Sequence, residues 1–464
     1  MKIEKSAGVN ESENILSELC DRTFLKIWNY ANPYKNKPGG KTHAEFCDNV
    51  AIFENHIFIF FVRNKKFTPN SKFGLKVEWN RFHKEVIEQQ IRACYGAERY
   101  IKNGGKLYLR SGEELPIKYD LDEINIHKII IAHGVEDACL NFSEENIYGS
   151  LAISYNKLVD DKFSDKSAPP FCVRLPSENP IHVFDSHNLE IMLKELDTFH
   201  DFKNYIVQKE KIISEKVCLI YGGEEDLLAH YLLNNTHFVD MKNDTGLCVA
   251  QGWWHEFVKS SKYQAIKEKN KISYFWDELI NELCASALKG ELLGNANFFT
   301  KDNGIYEMAS EPRVARRILS EKMVGAIEKF QNDTTKYHVI IALNSPRTNV
   351  SLSYVFLQYR MKFEEKPHSE EEIGSACSEI LEIACGVTKP LLPKDEKIVG
   401  IGMFTVEYHL DTTKQVYTTK SVLLMDCSSW NKEREEYYNE KNKSILCKFG
   451  FSVNPSNQSR RQPL

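Results

Sequence analysis

Two runs of β-branched and aromatic residues, separated by only two polar residues, constrain the start of this chain most strongly. "NVAIF" occupies positions 49–53 and "HIFIFFV" positions 56–62, with "EN" between them. Runs of this composition joined by so short a connection predict a β-hairpin. The hairpin begins just after two acids, Glu45 and Asp48, and its second strand runs directly into Arg63, Lys65 and Lys66.

Helical patterns flank this hairpin on both sides. Before it, apolar residues recur at helical spacing between positions 12 and 28, and Ser12 is the expected N-cap. After it, a long amphipathic helix is predicted over 77–103, closed by Gly104 and Gly105, and "KLYLR" follows as a strand. The predicted order is therefore helix, strand, strand, helix, strand, complete by about residue 115.

The remainder of the chain alternates further strand and helix patterns without a repeat of fixed period. The predicted fold class is α/β (α+β). We expect three domains, at 1–115, 116–333 (mixed strands and helices) and 334–464 (a C-terminal α+β domain). Hydrophobic residues make up 42% and charged residues 27%, as in a globular protein, and no apolar run has the roughly 18–20 residues of a membrane span.

The twelve cysteines are scattered without a CxxC pair, which favours reduced thiols in a cytoplasm over a disulfide framework or a zinc knuckle. The net charge is −5, but residues 61–110 hold twelve Lys or Arg against four Glu. This local charge of +8 is what a phosphate-binding surface requires, and Lys66, Arg81, Lys84, Arg92 and Arg99 are the expected DNA contacts. The alternative is a solvated basic helix face.

Taken together, the element order and the acidic positions resemble the restriction-endonuclease-like PD-(D/E)XK family. Glu18 on the first helix and Asp48 at the hairpin start match its acidic positions, and Gln89 or Gln90 matches a polar position on the next helix. The resemblance covers about residues 12–110. It implies a three-layer N-terminal domain and Mg²⁺ (or Mn²⁺) held by Glu18, Asp48 and Glu45, with Asp48, Glu45, Arg63 and Lys65 as the catalytic set.

The chain departs from this family at the acid-x-lysine motif. Phe61 stands at the acid position and Arg63 at the lysine position, while Lys65 has the right alternation but lies later. Phenylalanine cannot bind a metal, and arginine stays protonated, so it pairs with phosphate but does not act as a base. Either Glu45 supplies the missing carboxylate, or the site has lost its chemistry and kept its DNA-binding shape. A third interpretation is that Glu45 and Asp48 only cap a hairpin.

The resemblance implies a DNA-directed nuclease, or a DNA-binding protein derived from one, in the setting of bacterial anti-phage defence. The alternative function is a catalytically inactive subunit that binds a protein partner in a multi-protein complex. Elsewhere, His182, Asp185 and His187 cluster where a strand meets a helix. A metal or acid–base role is conceivable there, but a helix cap at Asp185 or Ser186 is favoured.

Overall fold

The computed structural model describes residues 8–36, 43–68, 72–143, 148–158, 168–238, 245–289, 303–334, 337–347, 350–362, 369–392, 397–410, 413–427, 430–441 and 453–455. The chain divides into two compact units, Glu4–Glu268 and a second built from Lys269–Leu464. Both combine helices with mixed sheets, which confirms the predicted α/β class. Among the described helices, none is long and apolar enough to span a membrane.

The first unit contains twelve strands and ten helices among its described residues. The strands are β1 Asn29–Ala31, β2 Tyr34–Asn36, β3 His43–Glu45, β4 Asn49–Phe53, β5 His56–Asn64, β6 Leu107–Tyr108, β7 Asn125–His133, β8 Ala152–Asn156, β9 Cys172–Leu175, β10 His182–Asp185, β11 Cys218–Tyr221 and β12 Leu247–Val249. The helices are α1 Glu11–Thr23, α2 Leu25–Trp28, α3 Leu75–Phe82, α4 Gln89–Lys102, α5 Glu136–Phe142, α6 Ser186–Glu195, α7 Phe199–Glu215, α8 Glu224–Leu233, α9 Trp253–Lys259 and α10 Ser261–Asn270, the last crossing the unit boundary.

The central sheet of this unit has the strand order β1-β4-β5-β7-β10. β1, β4 and β5 are antiparallel neighbours, whereas β7 and β10 join the sheet parallel to β5. β4 and β5 form the predicted hairpin, with Asn49 opposite Phe60. Two smaller sheets, β12-β11-β8-β9 and β3-β2-β6, complete the unit.

Aromatic packing holds helices against one face of this sheet. Phe24, at the end of α1, lies 5.5 Å from Phe58 and 6.0 Å from Phe60, measured between ring centroids. Phe202 of α7 contacts both Phe24 and Phe58. Because strand side chains alternate, Ile57, Ile59 and Phe61 belong to the opposite face, and α4 packs against β5 and β7.

The helix predicted over 77–103 is interrupted. It forms as α3 and α4 joined by a π-helical segment, His83–Glu88, and ends at Asn103, followed by Gly104 at a φ of +76°. The cap expected at Ser12 lies two residues earlier, at Asn10, whose side chain accepts a hydrogen bond from the Glu13 amide. The boundary predicted at residue 115 falls inside the first unit, because β5 pairs with β7 across it.

The second unit contains α11 Tyr274–Lys289, α12 Gly304–Ala309, α13 Arg313–Asn332, α14 Glu370–Thr388 and α15 Lys432–Lys441. Its strands are β13 His338–Asn344, β14 Leu352–Lys362, β15 Lys397–Leu410, β16 Thr413–Asp426 and β17 Val453–Pro455, in the order β16-β15-β14-β13-β17. The predicted boundary at 333/334 falls inside this unit, where α13 packs against β13.

A buried carboxylate organises part of the second unit. Oε1 of Glu311, which is fully buried, accepts hydrogen bonds from Ser345 Oγ, Arg347 Nε and Tyr354 OH at 2.7, 3.1 and 2.8 Å. Burial raises the pKa of Glu311, and Arg347 opposes that rise. The cluster therefore ties the start of α13 to β14 and to the loop after β13.

Candidate functional site

Asp48 lies at the end of the central sheet where β4 starts and β5 ends. This strand-end side of the sheet is the Asp48 edge. Its backbone N–H donates to Phe60 O at 3.1 Å, and its Oδ2 accepts from the Val62 N–H at 2.7 Å. The register of the hairpin, Asn49 opposite Phe60, brings Asp48 level with Phe61. The carboxylate is thus fixed across the hairpin, bound to the Val62 N–H and level with Phe61.

Asn32 links two more carboxylates to this edge. Its backbone N–H donates to Asp48 O at 2.9 Å, and its Nδ2 donates to Glu13 Oε2 and Glu45 Oε1, both at 3.1 Å. Asn32 has a φ of +46°, in the left-handed region that asparagine tolerates better than most residues. Its Oδ1 is buried and has no hydrogen-bond partner among the described residues. The result is an acidic cluster of Glu13, Glu45 and Asp48 around one amide.

The charges of this cluster act on Asp48. Burial raises the pKa of Asp48 to about 6, the Val62 N–H opposes the rise, and the carboxylates of Glu13 and Glu45 add to it. Arg63 is close enough to lower that pKa. Because the repulsion among the carboxylates outweighs the attraction of one arginine, the edge would gain from an added cation.

The α1 carboxylate in this cluster is Glu13, whereas the family resemblance pointed to Glu18. Glu18 is exposed, and it lies five residues after Glu13, which turns it about 140° around the helix. Glu13 is buried because it also closes the helix start: its Oε2 accepts from the Val9 N–H at 2.7 Å. The sequence signal for Glu13 was the Asn10-x-x-Glu13 spacing of a helix cap.

Phe61 and Arg63, which the resemblance assigns to the acid-x-lysine motif, lie in the second half of β5. Phe61 is buried and offers no ligand, while Arg63 is exposed beside Asp48. Lys65 forms an ion pair with Glu85, and Lys66 is exposed. The chemistry available at this edge is therefore cation-to-phosphate pairing, next to an acidic cluster that lacks the second strand carboxylate.

The cations predicted to contact DNA are all exposed on the segment from α3 to α4: Arg81, Lys84, Arg92 and Arg99. Arg81 also pairs with Glu78 at 3.0 Å and lies over the Phe73 ring, 4.6 Å from its centroid. Of the two glutamines, Gln89 is exposed and Gln90 is buried. The aromatic residues Trp79 and Phe82 are buried, as expected.

Sequence reasoning missed a polar group on the neighbouring strand ends. His133 Nδ1 lies 2.6 Å from Ser186 Oγ, and Ser186 donates to Glu136. His133 pairs with Asn64 in the sheet, so this group continues the edge that begins at Asp48. The cap predicted at Asp185 or Ser186 is present, with Asp185 as the N-cap of α6.

Backbone hydrogen bonds hold the basic run of β5 (Arg63, Lys65 and Lys66, at the end of the strand and just after it) against this second group. Lys65 N–H donates to His133 O at 3.3 Å, and Phe67 N–H donates to Gly134 O at 2.7 Å. Gly134 has a φ of +94°, and a Cβ there would lie 2.6 Å from Lys65 O. The close approach of the two segments therefore requires glycine at this position.

The proposed metal ligands do not converge. Within the described ranges, no group of three or more His, Cys, Asp or Glu residues is arranged to hold a metal ion. The set Glu18, Asp48 and Glu45 stays a prediction from the resemblance.

Comparison of this chain with protein-family models, with curated proteins and with solved structures gave no match.

Proposed function

We propose that the first unit binds DNA along the sheet edge at Asp48 and Arg63, as a DNA-binding protein of nuclease-like design. The observation that carries this proposal is the exposed Arg63, two residues beyond the position opposite Asp48 and close enough to lower its pKa, followed by the exposed Lys65 and Lys66. An exposed arginine followed by two lysines at a strand end suits the phosphate backbone, which supplies most of the affinity in protein–DNA complexes.

The strand topology supports this proposal. The hairpin β4-β5 is followed by the α3–α4 segment and by β7, which pairs parallel to β5, whereas the strand predicted at "KLYLR" is β6 of the small β3-β2-β6 sheet. The exposed cations of α3 and α4 extend the basic run of β5 along the chain. A similar fold does not by itself assign a function, so the proposal depends on the residues at the Asp48 edge.

Metal-dependent hydrolysis is the second candidate, favoured by the unpartnered Asn32 Oδ1 beside the acidic cluster. Amide and carboxylate oxygens are the donors that Mg²⁺ prefers, so Asp48, Glu45 and Asn32 are the residues that would hold it. A bound Mg²⁺ supplies an activated water for phosphodiester hydrolysis. The described carboxylates are not gathered into a ligand set, and Phe61 removes one expected ligand, so DNA binding without cleavage is our leading proposal.

The decisive experiment measures DNA binding and cleavage by the purified full chain, with Mg²⁺, with Mn²⁺ and with a chelator. We expect binding that weakens as salt rises, and weaker binding in Arg63→Ala, because that substitution removes a cation paired with phosphate. Asp48→Asn should keep the fold and the binding, since it removes charge but little volume. Lys26→Ala, an exposed lysine on α2, is the matched control.

Each outcome distinguishes the candidates. Cutting that needs a divalent ion and disappears in Asp48→Asn would replace the binding proposal with the hydrolytic one. Absence of DNA binding at low salt would overturn both, and it would leave a protein-interaction subunit as the remaining candidate. If Asp48→Asn changed neither cutting nor metal binding in an active protein, the site would lie elsewhere.

A further inference from the structure

A cavity of about 400 Å³ opens at the opposite end of the parallel strands, where β7 and β10 begin. Its lining combines the charged side chains of Lys128, Glu210 and Lys211 with Asn179, Val207 and Ser214. The first unit therefore contains a second polar site, separate from the Asp48 edge.

Two histidines fix the carboxylate of Glu210 in this cavity. Glu210 Oε1 lies 2.9 Å from His127 Nδ1 and 3.1 Å from His182 Nε2. His127 Nε2 in turn lies 2.8 Å from His56 Nδ1. With each histidine neutral, every contact has one donor and one acceptor: His56 Nδ1–H donates to His127 Nε2, and His127 Nδ1–H and His182 Nε2–H donate to Glu210.

The histidine contacts keep Glu210 ionised. Burial alone would raise the pKa of Glu210, but the contacts with His127 and His182 outweigh burial and hold it well below its usual range. Burial lowers the pKa of His56 to about 4 and lowers that of His182 as well. The carboxylate therefore stays ionised, with its Oε1 held by both histidines.

Only one oxygen of Glu210 is used by the described part of the protein. Oε1 receives both histidine N–H groups, whereas the described residues donate no hydrogen bond to Oε2. The Glu210 side chain is 25% exposed and lines the cavity, which leaves Oε2 as the oxygen for a ligand. This oxygen can accept up to two further N–H donors.

Lys128, which lines the same cavity, is a hydrogen-bond donor where Glu210 is an acceptor. Its side chain is 2% exposed, and its Nζ donates to Glu98 Oε2 at 3.2 Å and to Asn179 Oδ1 at 2.5 Å. Asn179 also donates to Glu98 Oε2 at 2.8 Å, and its φ is +53°. An ammonium has three N–H donors, so one remains. Glu98 also pairs with Lys102 Nζ at 2.7 Å, and Glu210 is close enough to act on Lys128. The two lysines therefore face two carboxylates, and Lys128 suits a neutral carbonyl better than a further carboxylate.

The cavity thus offers an open anionic acceptor and a charge-balanced donor, with Ile126, Pro180 and Val207 as apolar walls. From this pairing we propose that the cavity binds the guanine base of a nucleotide or of an unpaired nucleic-acid strand. The base would donate N1–H and N2–H to Glu210 Oε2 and accept from Lys128 Nζ at O6. Guanine presents a carbonyl beside two N–H donors on this edge, whereas adenine presents one donor and no carbonyl.

The rim suits the rest of a nucleotide. Lys211, 66% exposed on α7, and Ser214 can meet sugar or phosphate oxygens, so the charged part of the ligand would stay near solvent. A free amino acid has a carboxylate that Lys128, which already faces Glu98 and Glu210, does not require. This proposal does not depend on DNA binding at the Asp48 edge.

Calorimetric titration of the full chain with GMP, IMP, AMP and CMP tests the proposal. We expect GMP to bind more tightly than IMP, which lacks the N2 amino group, and AMP and CMP at least tenfold more weakly than GMP. A single-stranded oligonucleotide with one unpaired guanine, compared with the same strand carrying inosine, shows whether the base is read free or within a strand. A guanine preference in either arm supports the site.

Two tryptophan substitutions test the location. Val207→Trp should fill the cavity and reduce GMP affinity at least tenfold, while Val314→Trp is the matched control, because both valines are 39% exposed and lie on helices. Glu210→Gln should remove the preference for GMP over AMP. Equal binding of all nucleotides, no binding of GMP at 1 mM (roughly the weak end of specific recognition), tighter binding of a free amino acid, or GMP binding that survives Val207→Trp would each overturn the proposal.

Discussion

Lys209 of α7 and Glu224 of α8 form an ion pair in which neither side chain is exposed to solvent. Lys209 Nζ lies 2.6 Å from Glu224 Oε1 and 2.7 Å from Oε2, and Tyr205 OH donates to the same carboxylate at 2.7 Å. Burial lowers the pKa of Lys209, and Glu224 opposes that change. Each charge is tolerated in the core only because the other is present.

Removal of one partner of this ion pair should therefore lower the stability of the first unit. Lys209→Met leaves Glu224 buried without its counter-ion, and we expect a loss of about 3–5 kcal/mol in the free energy of unfolding of the first unit. The double variant Lys209→Met/Glu224→Gln should recover part of that loss. Urea unfolding measures both effects.

The control is on the same helix. Lys211 is 66% exposed and pairs with Glu215 at 3.9 Å, so Lys211→Met should cost at most about 1 kcal/mol. If Lys209→Met cost no more than Lys211→Met, the buried pair would not be contributing to stability.

Asp48 should make the stability of the first unit depend on pH. Its pKa of about 6 in the folded state lies above its ordinary value of 3.8, so the folded state holds the proton more tightly than the unfolded state. Ionisation of Asp48 thus works against folding: the penalty is absent below about pH 3.8, grows as pH rises and is complete above about pH 6.

Asp48→Asn removes this penalty and keeps an acceptor for the Val62 N–H. We expect the variant to exceed the wild type by about 1–2 kcal/mol at pH 7 and to match it near pH 4. Denaturant unfolding from pH 4 to pH 8 measures the difference. A variant less stable than the wild type at pH 7 would contradict the penalty assigned to the burial of Asp48 and to repulsion from Glu13 and Glu45.

Part of the Asp48 edge could be predicted from sequence because the alternation of apolar residues along a strand is a local pattern. The alternation of "NVAIF" and "HIFIFFV" predicted the hairpin, whose register puts Phe61 level with Asp48. The resemblance pointed to Glu18, and Glu13 was not singled out, because the side of α1 that meets the sheet depends on where the helix starts. An N-cap at Asn10 rather than Ser12 makes Glu13 the third helical residue and directs it to Asn32.

The cavity lined by Lys128 and Glu210 could not be predicted from any local pattern in the sequence. Glu210 meets His127 and His182, which lie 83 and 28 residues away along the chain. The structure also breaks the chain here into two helices, α6 and α7, and the side chain of Thr198 caps α7. The orientation of Glu210 follows from that break, and only the tertiary arrangement shows it.

The basic run of β5 should depend on Gly134. Gly134→Ala forces a Cβ within 2.6 Å of Lys65 O at a φ of +94°, and we expect a loss of about 1–3 kcal/mol in unfolding free energy. DNA affinity should fall as well, because Lys65 and Phe67 are held by this segment. Gly96→Ala on α4 is the control: nothing lies within 4 Å of the added Cβ. A Gly134→Ala protein as stable as Gly96→Ala would show that the two segments can separate at no cost.

The cations of α3, the π-helical segment and α4 should determine the salt dependence of DNA binding. Reversal of Arg81, Lys84 and Arg92 to Glu should weaken binding of every DNA sequence about equally, since phosphates carry no sequence information. The slope of log affinity against log salt should become shallower by about 0.9 for each phosphate that is no longer neutralised. Arg81 contributes least in this expectation, because Glu78 already pairs with it at 3.0 Å.

A control for this prediction is a second triple variant that changes the total charge by the same amount on a different surface. Lys194, Lys259 and Lys262 are also exposed lysines of the first unit, on α6, α9 and α10. If the DNA surface is the one that runs from β5 along α3 and α4, reversing these three to Glu lowers affinity only through long-range repulsion, which salt screens within about 8–10 Å near physiological ionic strength. Filter binding between 50 and 200 mM salt, roughly the range over which phosphate contacts are resolved, compares the two triple variants. Equal reductions in affinity would mean that net charge, and not this surface, governs binding.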